Sequence, residues 1–441
     1  MLRRKLVFSM LFLLPASNLG VYAQKSIGRA QSIVGQWQGT IKTPRPLRSV
    51  LKVSVGSGGK LQAYFVSVDQ APEHVPVTSI SLAHGELDFS IAMIQGSYHG
   101  KLSSDGSKIE GTWTQGSPLP LDFQRATDAT SWLTKSKTRM VAVAPGVSLE
   151  VVDWGGGGPP LVFLAGLGNT AHVFDNFAPK FVPSYHAYGI TRRGFGASSS
   201  PVPNGSNYSA DQLGDDVLKV MDALGLKKPV LIGHSIAGEE LSSIGSRYPD
   251  RVAGLIYLDA GYPYALYSTD SGDSRLDAEE LQSDLNAFLA DRPETDQKEI
   301  IATTLADLSQ LQKDLESHQK MAELLPPPPN STTRPEPPFA DAAAAIINGE
   351  QKYTNIQVPI LAIFASPHST ARLPHMPEDK KAEFIALDQA KSAAQAKAFE
   401  KLKSAKMVIL PNADHYVFLS NEQDIEKDMK DFLASLNARG S

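Results

Sequence analysis

A serine flanked by small residues, at the end of a short apolar run, is where this 441-residue chain first offers chemistry. Val230–Ile232 reads as a buried strand, Gly233-His234-Ser235-Ile236-Ala237-Gly238 follows, and from Glu239 the apolar spacing (Leu241, Ile244, Tyr248) becomes helical. A serine on a sharp strand-to-helix turn needs small neighbours, and G-x-S-x-G supplies them two residues to either side. Here Ala237 takes the last glycine's place, a departure that adds little bulk. The plainer reading is a serine that caps the next helix. A serine hydroxyl is a weak nucleophile until a base takes its proton, and histidine titrates in the right range. The base in turn needs an acid to hold its tautomer. Two residues have suitable types and places: His415, in a loop after the last apolar strand, and Asp259, which closes the apolar strand Val252–Leu258. A carboxylate at that position is costly to bury without a partner, and a histidine is a suitable one.

The elements that must position these residues fall into two patterns. From Ile33 to Arg125, short alternating runs such as Trp37–Ile41, Leu61–Val66, Leu87–Ile91 and Ile109–Trp113 are separated by glycine-rich turns. They predict a small antiparallel sandwich or barrel over residues 24–128, with solvent-exposed His74, His84 and His99 that lack metal-ligand spacing. Ala126–Lys137 reads as a linker or short helix. Residues 129–441 then alternate strands with helices, as a doubly wound, mostly parallel sheet does. Leu161–Leu164 and Ile360–Phe364 are continuous apolar strands, and Ser209 is the expected N-cap of a helix reaching Leu224. Between residues 262 and 357 strands give way to charged helices interrupted by prolines, an insertion expected to form a cap.

Composition narrows the partners. A net charge of −5 gives no basic footprint, so nucleic acid is not expected. With no cysteine, disulfides, thiolate metal sites and a cysteine nucleophile are all excluded. Leu2-Arg3-Arg4-Lys5, the apolar Leu6–Leu14 and Val21-Tyr22-Ala23 predict a signal peptide over residues 1–23, cleaved near Ala23, and hence a secreted or periplasmic chain. The apolar run falls short of the about 20 residues a membrane span takes, so no stable span is expected in the mature chain.

Over roughly Arg139 to Leu436 the chain resembles the α/β-hydrolase superfamily in four blocks. They are the Ser235 turn, Leu164-Ala165-Gly166-Leu167-Gly168, Thr191-Arg192-Arg193-Gly194-Phe195-Gly196-Ala197-Ser198, and Asn412-Ala413-Asp414-His415-Tyr416. The resemblance implies an α/β-hydrolase fold with a helical cap, preceded by the small β domain that it does not cover. It implies Ser235 as nucleophile, His415 as base, and oxyanion donors from the backbone of Leu167 and Ile236, with no cofactor and no metal. The family often places its acid after the strand equivalent to Pro359–Phe364, where this chain reads Ala365-Ser366-Pro367-His368-Ser369 without a carboxylate. It also uses the end of the strand after the elbow helix, which is Asp259; Asp414 is a weaker rival because adjacent residues seldom face each other. No role is expected of His368. His234 should pack beside the elbow, and Glu239 and Glu240 should suit the dipole at the helix start. The function so implied is a secreted serine hydrolase cleaving esters or related acyl bonds of a small-molecule substrate. Aminopeptidase, amidase or lactonase chemistry on the same fold stays open, as does a non-catalytic binding protein on a hydrolase scaffold. A serine nucleophile argues against the epoxide hydrolases and haloalkane dehalogenases of the superfamily, where aspartate forms the ester intermediate.

Overall fold

The computed structural model describes residues 33–43, 46–56, 59–68, 71–127, 129–132, 136–290, 296–324, 340–370 and 376–440. The expected signal peptide and the proline runs at 326–329 and 335–338 lie outside the described residues. The chain divides near residue 132 into two compact units.

The first unit is built on β1 (Gly35–Ile41), β2 (Leu47–Val55), β3 (Leu61–Ser67), β4 (Ala71–Pro76), β5 (Ser79–Ala83), β6 (Glu86–Ile91), β7 (Gly96–Leu102), β8 (Lys108–Gln115), β9 (Ser117–Pro120) and β10 (Phe123–Ala126). They form one ten-stranded sheet in the order β4-β3-β2-β1-β10-β8-β7-β6-β5, with β9 paired to β8 at the side. Phe65 on β3 stacks on Trp113 of β8 with ring centroids 5.1 Å apart, although three strands separate them in the sheet. A flat sheet would hold those strands roughly 19 Å apart, so the sheet curls back on itself around Trp37, Phe89, Tyr98 and Phe123. The unit is therefore a half-barrel of one sheet, not two stacked sheets. Its His99 and His84 are exposed, as expected.

In the second unit β11 (Lys137–Ala144), β12 (Val147–Gly155), β13 (Pro160–Leu164), β14 (His186–Ile190), β15 (Val230–His234), β16 (Gly254–Leu258), β17 (Ile360–Ala365) and β18 (Ala405–Leu410) form an eight-stranded sheet. Its order is β11-β12-β14-β13-β15-β16-β17-β18; β12 runs antiparallel to its neighbours and β13 to β18 are parallel. Along β17, Leu361, Ile363 and Ala365 enter one core cluster while Ile360, Ala362 and Phe364 enter the other. That two-residue period explains why the strand reads as continuously apolar: both faces are covered. The helices are α1 (Ala210–Leu224), α2 (Ala237–Arg247), α3 (Ser274–Phe288), α4 (Gln297–Leu324), α5 (Ala340–Ile347), α6 (Glu378–Glu400), α7 (Val417–Ser420) and α8 (Glu422–Gly440). Ser209 caps α1 by accepting the Gln212 N–H, as its sequence position implied. Helices α3 to α5 lie in the insertion between β16 and β17. Among the described residues, no helix is long and apolar enough to cross a membrane.

Candidate active site

Parallel strands deliver their C-terminal ends to one edge of the sheet, and functional loops gather there. Ser235 follows β15 directly, with φ at +55°, the left-handed region that costs a non-glycine residue energy. Small neighbours make this conformation packable. A Cβ on Gly238 would lie 2.0 Å from the Ala260 carbonyl oxygen, and one on Gly166 would lie 3.1 Å from the Ser235 Cβ. The loop after β13 thus passes directly against the serine. Neither the Leu167 nor the Ile236 N–H donates to a backbone carbonyl among the described residues, which leaves both donors for an incoming oxygen.

Asp259, next after β16, also takes a positive φ, +46°, and is buried at 3% exposure. Its Oδ2 lies 2.6 Å from His415 Nδ1, and its Oδ1 accepts the Ala365 N–H at 3.0 Å. Burial alone would raise its carboxyl pKa; hydrogen bonds from His368 and His415 outweigh that and hold it well below the usual carboxylate range. With Nδ1 committed to Asp259, Nε2 is the nitrogen His415 has left for a substrate or nucleophile. Ser235 Oγ makes no hydrogen bond to His415 here; its side chain faces the Tyr264 phenol instead. Such contacts often tighten only with substrate bound. Asp414 turns elsewhere, accepting the Tyr416 N–H at 3.0 Å.

The surrounding residues brace this arrangement. Buried Arg192 binds Glu240 through two 2.7 Å hydrogen bonds and donates to the Ala165 carbonyl at 2.9 Å, tying the loop after β13 to helix α2. His234 Nε2 lies 3.1 Å from the His415 carbonyl oxygen and the two rings are 4.7 Å apart, which is the packing role expected of it. The dipole reading of the two glutamates needs correction. Glu240 is half of a buried ion pair, and Glu239 is fully buried without a hydrogen-bond partner for either oxygen. Burial, reinforced by Glu240, pushes the Glu239 carboxyl well above its ordinary range, which works against a charge aimed at the helix dipole.

His368 also departs from expectation. Its Nε2 lies 2.8 Å from Asp259 Oδ2, so Asp259 joins two histidines. Asp388 on α6, a residue that sequence reasoning passed over, holds the other nitrogen at 3.0 Å. Only proximity in the fold reveals this pair, since 20 residues separate the two in sequence. The ligand atoms of Asp259, His368 and His415 lie within 4.8 Å of one another, a spacing compatible with a metal ion. Contacts of 2.6 and 2.8 Å to one oxygen are hydrogen bonds, however. An ion about 2.0–2.2 Å from each atom would need them spread further apart. A cavity of about 400 Å³ lies beyond Asp259, Tyr262, His368 and Asp388, between α4 and α6; Ser235 and His415 are not in its wall.

With this geometry in hand, comparisons with known proteins bear on the family. Residues 159–333 match the α/β hydrolase fold. The second unit, which contains the matched residues, thus has the α/β-hydrolase fold. The chain is 32% identical over 115 residues to a fluoroacetate dehalogenase of a Burkholderia species, covering 26% of this chain and 38% of that one. It is 25% identical over 136 residues to a 2-(acetamidomethylene)succinate hydrolase of Mesorhizobium japonicum, covering 31% of this chain and 48% of the relative. The chain thus spans less than half the length of either relative. Among solved structures, an N-acyl homoserine lactone degrading enzyme superposes with a TM-score of 0.42 at 20% identity, covering 67% of this chain and 100% of that one.

Proposed function

We propose that the chain is an exported serine hydrolase that cleaves carboxylic esters or related acyl bonds of small molecules. The observation that carries this reading is the 2.6 Å bond from buried Asp259 to His415 Nδ1, at the same sheet edge as the strained Ser235. In this reaction His415 Nε2 takes the Ser235 proton as Oγ attacks the substrate carbonyl carbon. The oxyanion that forms is met by the N–H groups of Leu167 and Ile236. His415 then passes its proton to the leaving group as the carbonyl–leaving-group bond breaks, giving an acyl-enzyme. A water molecule reverses the sequence, losing its proton to His415 and releasing the acid and free Ser235. Asp259 stays ionised throughout and holds the imidazolium.

A serine at the nucleophile position turns this reading away from the dehalogenation named for one relative and toward the hydrolysis named for the other. The basic and apolar N-terminal pattern supports export, with a mature chain that begins at Gln24. The experiment is fluorophosphonate labelling of the exported full-length product, mapped by peptide mass spectrometry. A single adduct on Ser235, absent in Ser235→Ala and reduced in His415→Ala, is expected, as is an N-terminal peptide starting at Gln24. Folded protein that takes no label would overturn the hydrolase reading in favour of a binding protein on this scaffold.

A further inference from the structure

The acid of the site has a second histidine on it, and that histidine has its own acid. His368 Nε2 lies 2.8 Å from Asp259 Oδ2, its Nδ1 lies 3.0 Å from both oxygens of Asp388, and its backbone N–H donates to Asp388 Oδ2 at 2.7 Å. A neutral imidazole has one N–H and one bare nitrogen, whereas ionised carboxylates only accept. A bare nitrogen turned to either aspartate would be repelled, so the site favours an imidazolium with both nitrogens donating. Three backbone hydrogen bonds hold the loop in place: Ser366 N–H to the Leu410 carbonyl at 3.0 Å, Asn412 N–H to Pro367 at 2.9 Å, and Ser369 N–H to Ala413 at 2.9 Å. The loop that often carries the acid in this superfamily is thereby strapped to the loop that carries His415.

We infer that His368, kept as a cation by Asp388, is a positioning residue for the reaction: it divides the charge of Asp259 with His415 and so sets both where the acid points and how firmly it holds the base's proton. The inference rests on the serine-hydrolase reading above. With His368 and His415 on Oδ2 and the Ala365 N–H on Oδ1, the carboxylate is fixed from three sides and cannot swing away from the base. The cost is electrostatic. When His415 takes the serine proton, it becomes the second cation on one carboxylate, and the two rings then repel each other.

The groups that face His368 agree with a cation. Asp259, Tyr262 and His415 lie on the sheet side. Asp388 lies against the ring from α6, and Lys391 on α6, Asp273 before α3, and Asp314 and His318 on α4 line the cavity beyond it. Burial would lower the His368 pKa; hydrogen bonds to Asp259 and Asp388 outweigh it and push it up to about 10. Burial also keeps the Tyr262 phenol well above its ordinary range, so it stays neutral beside them.

The test uses the full chain and the fluorophosphonate probe, with the labelling rate of Ser235 followed from about pH 5 to 9 across the ordinary histidine range. In His368→Gln an amide replaces the ring without its charge; in Asp388→Asn the ring stays but loses the anion that keeps it charged. Both variants are expected to move the acid limb of the rate profile upward by about one pH unit, the size of a removed neighbouring charge. Asp388→Asn should keep the plateau rate, while His368→Gln lowers it several-fold. Nitrogen-15 NMR of histidine-labelled protein should show His368 as an imidazolium at pH 8 in the wild type and as a neutral ring in Asp388→Asn. A merely structural pair would lower folded yield or melting temperature and leave the limb where it is. Acid limbs that coincide in wild type and both variants, or a neutral His368 at pH 8 in the wild type, would overturn the inference. Failure of the wild type itself to label would sink the serine reading, and the NMR result would still decide whether His368 is a cation.

Discussion

Among the described residues of the second unit, two histidines are clamped between two carboxylates, and only one of them touches the candidate site. His172 has Asp175 Oδ2 at 3.0 Å on Nδ1 and Glu150 Oε1 at 3.4 Å on Nε2. His368 has Asp388 at 3.0 Å and Asp259 at 2.8 Å. Burial works against the charge on both rings, and in both the carboxylates win, pushing the pKa up to about 10. The difference lies one bond further out. The other oxygen of Glu150 accepts the Thr191 hydroxyl at 2.8 Å, and Asp175 accepts the Trp154 indole N–H at 2.8 Å, so that clamp ties β12 to the residues after β14 and ends there. The Asp259 of the second clamp goes on to His415. One local device can thus be a strut or part of a reaction, according to what its acceptor binds next.

Breaking the acceptor in each clamp should separate these roles most widely. Asp259→Asn removes the charge that orients His415, and the labelling rate of Ser235 should fall by a factor on the order of 10⁴. Glu150→Gln removes an equivalent carboxylate oxygen and should leave that rate near the wild-type value. If Asp259→Asn reacted at close to full rate, Asp259 would not be the acid and the contrast would vanish.

Removing the rings reverses the ranking. His172→Leu leaves Glu150 and Asp175 buried without their cation, a loss of about 3 kcal/mol in urea unfolding, while labelling of the folded fraction persists. His368→Gln should cost less stability, because Asp259 keeps its bonds to His415 and Ala365. The sign of the pH dependence follows from the raised values. Each ring's contribution is fully present below its ordinary pKa of about 6.5 and is lost as pH climbs through about 10. The wild-type unfolding midpoint should therefore drop between about pH 6.5 and 10, and His172→Leu should flatten that drop. An unchanged alkaline slope would show that the clamped ring does not carry the charge.

The contrast between the clamps also marks what a single sequence reveals. The buried strands were legible because β15 to β17 are covered on both faces and so read as unbroken apolar runs. The elbow was legible because its strained serine needs small neighbours, which Gly233 and Ala237 supply, and Asp259 because a carboxylate ending such a strand needs a cation. What stayed hidden depended on contacts between segments far apart in the chain. His368 read as an idle loop residue because Asp388 sits in the middle of a charged helix, where one more carboxylate looks like a solvated face. Glu239 read as a helix-start charge, since only packing shows that no donor reaches it. In the β unit, alternation revealed strands such as Ile109–Trp113, but the closure of the sheet depends on Phe65 meeting Trp113, a pairing no local pattern encodes.

A third histidine gives the smallest effect and the sharpest control. In the β unit His99 Nδ1 lies 2.7 Å from Asp88 Oδ1, closer than any carboxylate contact of the His172 or His368 ring. The Asp88 hydrogen bond raises its pKa as well. The difference is solvent: side-chain exposure is 64% for His99 and 55% for Asp88, against 20% and 4% for His368 and Asp259. Water screens an exposed pair and competes for its hydrogen bonds, so distance ceases to measure its worth. His99→Ala should leave the urea midpoint unchanged within error at low and at high salt. A shift as large as that of His172→Leu would mean that contact distance rather than burial ranks these pairs, and the difference drawn between strut and working clamp would have to be rebuilt on other grounds.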